Sequence, residues 1–178
     1  MASQFRSRKK RAPRRPVPSA GLKTAIRCFG VLSAIVLLFS CLSFDLSDWP
    51  SPYASPNNQP PANWCGYVGA FCAYHLIYYL GPGVFLVLLA VLGHALMRLF
   101  DRNLSEPVMR VVGVGLVTIA ISATFYCLWP TRLYAFPFGS GGVLGVAVAH
   151  FLKTNFAAFG ALILMTAMWV VGLVLLAD

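Results

Sequence analysis

The chain has 178 residues, of which 58% are hydrophobic and 11% charged, with a formal net charge of +9 and a mean hydropathy of +0.73. Soluble globules carry about a quarter charged residues. The composition therefore excludes an ordinary water-soluble enzyme and points to an all-α integral membrane protein.

Residues 1–21 form a basic tail. Arg6, Arg8, Lys9, Lys10, Arg11, Arg14 and Arg15 crowd into it, Lys23 and Arg27 follow at the start of the first apolar stretch, and no acid accompanies them. Pro13, Pro16 and Pro18 prevent a long helix there. Such a segment reads as a disordered cytoplasmic tail resting on anionic lipid. Its charge also allows weak, non-specific DNA contact through phosphates. No aromatic side chain stands within the basic cluster to stack on bases.

Residues 22–178 are predicted to form one four-helix membrane domain, with spans over about 25–44, 83–100, 111–128 and 156–177. A helical span needs ~20 apolar residues at a rise of about 1.5 Å each. The first span exceeds the apolar core of a signal peptide and no A-x-A site follows it, so it is expected to be an uncleaved anchor. Next comes a stretch dense in Pro, Ser and Asn, with Pro50, Pro52, Pro56, Pro60 and Pro61, read as an extended outer loop. Gly66–Leu80 is apolar and aromatic but too short to cross alone. It reads as a short outer helix, interfacial or re-entrant, since bare backbone is too costly in lipid. Gly81-Pro82-Gly83 separates it from the second span. In the following turn Ser105 is expected to cap the third helix, with Pro107 in its first turn. The third span stops at Trp129-Pro130. After Gly139-Ser140-Gly141-Gly142, residues 143–152 form a second short outer helix ahead of the fourth span.

Charge sets the expected orientation. The tail, the start of the first span with Lys23 and Arg27, and the turn holding Arg98, Arg102 and Arg110 together carry twelve basic residues, whereas the two longer loops carry only Arg132 and Lys153. By the positive-inside rule both termini are expected to be cytoplasmic. Trp49, Tyr53, Trp64, Tyr67, Trp129 and Tyr134 then fall at the outer interface, which suits amphipathic rings. Trp169 lies mid-span and reads as a packing residue.

The order of elements repeats. An offset of 76 residues brings Gly66 and Gly69 onto Gly142 and Gly145, Ala73 onto Ala149, and Leu76 onto Leu152. Arg27-x-x-Gly30-Val31 resembles Arg110-x-x-Gly113-Val114 at a slightly larger offset. The pattern points to an internal duplication with both copies in one orientation.

The most specific local signal runs from Ser43 to Gly83. It holds S-F-D-L-S-D-W-P at 43–50, N-W-C-G-Y-V-G-A at 63–70 and L-G-P-G at 80–83. Here the chain resembles the N-terminal membrane domain of FtsK/SpoIIIE DNA translocases, over about residues 25–177. The matching residues are Ser43, Asp45, Asp48, Asn63, Gly66, Gly69, Ala70, Gly141, Gly142 and Gly145. The resemblance implies an anchor and assembly module of a translocase acting in cell division and chromosome segregation. It also implies a homo-oligomer that meets other division-site membrane proteins. The sequence holds no G-x-x-x-x-G-K-[ST] phosphate loop, so the motor activity does not carry over.

Each motif residue also has a plain reading. The glycines either offer a flat strip to a neighbouring helix or permit a sharp turn. Asn63 is expected to cap the short helix. Asp45 and Asp48 are either exposed loop acids or groups that hold the loop or a partner's cation. Gly30/Ala34 and Gly113/Gly115 offer packing faces. His75 and His150 read as interfacial packing, and no metal, cofactor or catalytic residue is expected. The five cysteines read as small apolar residues. Apart from His94 and the terminal Arg27 and Arg98 the spans hold no charged or histidine side chain, which disfavours a charged relay. The alternative class is a small repeat-built transporter or channel.

Overall fold

A computed structural model describes residues 20–102, 106–130, 134 and 136–177. The tail residues Arg6, Arg8, Lys9, Lys10, Arg11, Arg14 and Arg15 lie outside the described residues, as do Ser105 and Arg132. Five α-helices make up the domain: α1 (Ala20–Leu42), α2 (Gly66–Leu80), α3 (Val84–Leu99), α4 (Pro107–Leu128) and α5 (Gly142–Ala177). A single 3-10 turn, Gly81–Gly83, joins α2 to α3. No strand occurs among the described residues. Four helical segments are long and apolar enough to cross a membrane.

The two short helices expected before the second and fourth spans are present but not detached. α2 and α3 run on as one 34-residue apolar segment and α5 is 36 residues long. Straight helices of that length would reach about 50 Å, well beyond a hydrocarbon core of about 30 Å. Each segment breaks instead. Pro82 has no N–H to continue the ladder, and Gly81 turns with φ 61° and ψ −151°. In α5 the break is at Ala157, with φ 54° and ψ −175°. The two breaks are 76 residues apart, the offset seen in the sequence. Gly66 and Gly142 likewise share positive φ values of 66° and 64°, and Ala73 and Ala149 are both fully buried.

Packing sorts side chains by size. Much of the interior is small residues, Ala34, Ser40, Cys41, Ala70, Ala73, Ala120, Ser122, Ala123, Ala149 and Ala161, packed beside Ile77, Val84, Leu88 and Val117. Many large apolar residues point outward. On α1 the exposed set is Leu22, Ile26, Phe29, Leu32, Val36 and Phe39, a stripe at spacings of three and four. Lipid tails are as apolar as Leu, so nothing drives large side chains inward; close backbone approach and hydrogen bonds hold the helices together. Trp169 follows this rule, its Nε1 donating to Thr124 Oγ1 at 3.2 Å while Thr124 Oγ1 donates to Ala120 O at 2.6 Å.

The halves meet at the break after α2. Ser122 Oγ on α4 accepts from Gly83 N at 3.0 Å and donates to Leu80 O. The backbone of Gly81 lies directly against Gly141 and Gly142, and a methyl at Gly145 would come within 2.6 Å of the Ser122 backbone. Of the proposed packing faces, Gly113 packs on the Gly172–Leu176 backbone and Ala34 is buried. Gly30 and Gly115 meet nothing within 4 Å. The similar small-residue pattern in span one therefore faces outward at Gly30. At the other end of the helices Arg27 Nη1 pairs with Asp101 Oδ1 at 2.5 Å. This exposed pair ties α1 to the end of α3 and contributes at most about 1 kcal/mol.

Thermal unfolding in detergent checks this account. Ser122→Ala is expected to destabilise by about 2–4 kcal/mol, since it strands both Gly83 N and Leu80 O. Gly145→Ala should cost about 1–3 kcal/mol by overpacking, and Gly30→Ala almost nothing. Ala157→Gly should stabilise by about 1 kcal/mol, because relief of a backbone conformation suited to glycine outweighs glycine's extra chain entropy. Equal effects of the alanine substitutions at Gly145 and Gly30 would refute the packing account.

Candidate functional site

The motif residues gather at the end of the bundle where the two long loops lie. Asp48 is the organising group of the first loop. Its carboxylate is 3% exposed. Oδ1 accepts from Asn58 Nδ2 at 2.9 Å and Ala62 N at 2.8 Å, and Oδ2 accepts from Asn63 N at 2.9 Å. A loop with this many prolines has few amides to bond with itself, so one carboxylate collects the nearby N–H groups. Asp45 has a lesser role, accepting from Ser47 N at 2.8 Å in an exposed turn.

Asn63 is buried and does not cap α2. The residue at the cap position of α2 is Cys65, which has no side-chain cap bond. Asn63 Nδ2 instead donates to Ser40 O at 2.8 Å, while Oδ1 accepts from Cys65 N at 3.0 Å. It thus serves the C-terminal end of α1, whose last carbonyls have no partner within the helix. The sequence suggested the reverse because Asn precedes an apolar run, the usual signature of an N-cap.

The glycines divide between the two readings. Gly66 has open space around it and a positive φ, so it is a turn glycine. Gly69 permits close approach: a methyl there would come within 2.5 Å of Asn63 Oδ1, and Ser40 Oγ donates to its carbonyl at 2.5 Å. Ala70 beside it is buried. Gly141, Gly142 and Gly145 are buried in the junction with Gly81 and Ser122. Asp48, Asn63 and Gly69 therefore form one hydrogen-bonded group with Ser40, and the later glycines form a second group with Ser122.

Aromatic rings join the loops above these groups. Phe136, from the second loop, is buried with its centroid 5.2–6.0 Å from those of Phe44, Tyr53, Tyr74, Tyr78 and Phe138. Tyr134 packs edge-on against Phe44 at 5.8 Å. Burial, with a smaller contribution from Cys41, pushes the Tyr134 phenol up to about 12. Around this plug stand exposed rings: Trp49, stacked on Phe71 at 5.6 Å, Tyr53, Tyr67, and Trp64, which is 72% exposed. The arrangement is a rigid base carrying an aromatic rim. It can bind an apolar or aromatic partner surface. His75 packs on Phe71 with ring centroids 4.4 Å apart, and His94 and His150 are exposed. No group of three or more potential metal ligands occurs among the described residues, and all five cysteines are free.

Sequence reasoning missed Ser40, Ser122 and Phe136. A serine inside an apolar span is a signal in itself, and these two recur 82 residues apart, close to the repeat offset. Nothing in the sequence distinguished Phe136 from its neighbours.

Asp48→Ala is expected to loosen the first loop, raising its hydrogen exchange and protease sensitivity, with a loss of about 1.5–3 kcal/mol typical of bonds to a charged group. Asp45→Ala should change little. Tyr134 supplies a pH test. Its folded pKa lies above the ordinary phenol value of 10.0, so its contribution is complete below pH 10 and fades as pH rises toward about 12. Tyrosinate absorbance of the wild type minus that of Tyr134→Phe should show one late-titrating phenol; titration near pH 10 would contradict its burial.

The family described as the 4TM region of DNA translocase FtsK/SpoIIIE matches residues 20–178. DNA translocase FtsK of Pseudomonas syringae pv. tomato is 29% identical over 164 residues, covering 86% of this chain and 20% of that protein. DNA translocase FtsK of Agrobacterium fabrum is 27% identical over 128 residues, covering 71% of this chain and 14% of that protein. The chain spans a fifth or less of the length of these curated relatives. No solved structure matches it. A match that takes in every described helix, each break and both loops means that the chain belongs to the family of FtsK/SpoIIIE four-transmembrane regions, multi-pass domains of the bacterial inner membrane.

Proposed function

We propose that this chain is the membrane anchor and assembly module of an FtsK/SpoIIIE-like DNA translocase, acting in cell division and chromosome segregation and catalysing nothing itself. The family match over residues 20–178 is the observation that carries this reading. The division into a basic tail over 1–21 and a membrane domain over 22–178 fits it. So does the charge asymmetry, which favours both termini on the cytoplasmic side and the aromatic rim outside. The rim residues Trp49, Tyr53, Trp64 and Tyr67 are then the surface for other division-site membrane proteins, held in place by Asp48 and Phe136. Self-association through the helices and contact of the tail with anionic lipid complete the proposal, with DNA contact weak at most.

A fluorescent fusion of this chain, expressed in dividing bacteria, is expected to gather at the division site. Asp48→Ala should remain in the membrane but lose that enrichment. An Asn57→Cys label in a background freed of native cysteines should react with an impermeant maleimide added to intact cells. Uniform membrane fluorescence of the wild-type fusion would overturn the division role, and shielding of position 57 would overturn the orientation. Substrate flux into liposomes containing the protein would favour a transporter instead.

A further inference from the structure

We draw no further inference here: the strongest candidate, the exposed apolar face of α1 formed by Leu32, Val36 and Phe39 and continued by Trp64 beside Phe39, belongs to a membrane-length helix, and nothing in the structure shows what covers it.

Discussion

In hydrocarbon a backbone group without a partner costs several kcal/mol, and this chain interrupts its own helical ladder within a 34-residue apolar segment. The interruption at Gly81–Gly83 frees a carbonyl and an amide, and the Ser122 hydroxyl serves both, accepting from one and donating to the other. The rest of the architecture follows from keeping that hydroxyl in reach. α4 must lie against the break, which requires Gly83 rather than a larger residue beside Thr118 and Ser122. The start of α5 must lie against the same point, which requires Gly141, Gly142 and Gly145. The two halves of the domain are thus joined backbone to backbone, with one side chain supplying the bonds.

The loop end works on the same terms. α1 finishes with carbonyls that need donors, and Asn63 supplies one from 23 residues downstream. Asn63 is in turn held by Asp48, so the end of a helix, an extended loop and the start of α2 form one unit. Phe136 then locks the second loop onto the first. A surface that recognises a partner is best mounted on such a base, because rings that are already placed lose little freedom on binding. Trp49 and Trp64 are placed in this way by Phe71 and Phe39 beneath them.

Much of this was legible in the sequence, and the remainder was illegible for physical reasons. The helices and the Gly81–Gly83 break were readable because lipid imposes length and composition on every span. The range Gly66–Leu80 agrees with the helix observed, and the 76-residue offset links the two positive-φ glycines and the two breaks. The choice between turn glycine and packing glycine was not readable. Gly66 and Gly69 are identical in type, three residues apart, and differ only in what lies opposite them. Asn63 shows a second limit. Its spacing to α2 is local and visible, whereas its bond to Ser40 is long-range, and the long-range partner prevailed. Ala157 shows a third: no local rule places alanine where the first half has Gly81, so the fourth span could be separated from its short helix by composition alone.

Ser122 lies 39 residues beyond the amide it satisfies. During synthesis on the ribosome, at about 5–20 residues per second, those 39 residues take roughly 2–8 s to add. Throughout that interval the break between α2 and α3 lacks its acceptor and donor. The break is completed only once the Ser122 turn of α4 has been made. Maturation of this small domain is therefore paced by the arrival of its third long helix rather than by the insertion of its first.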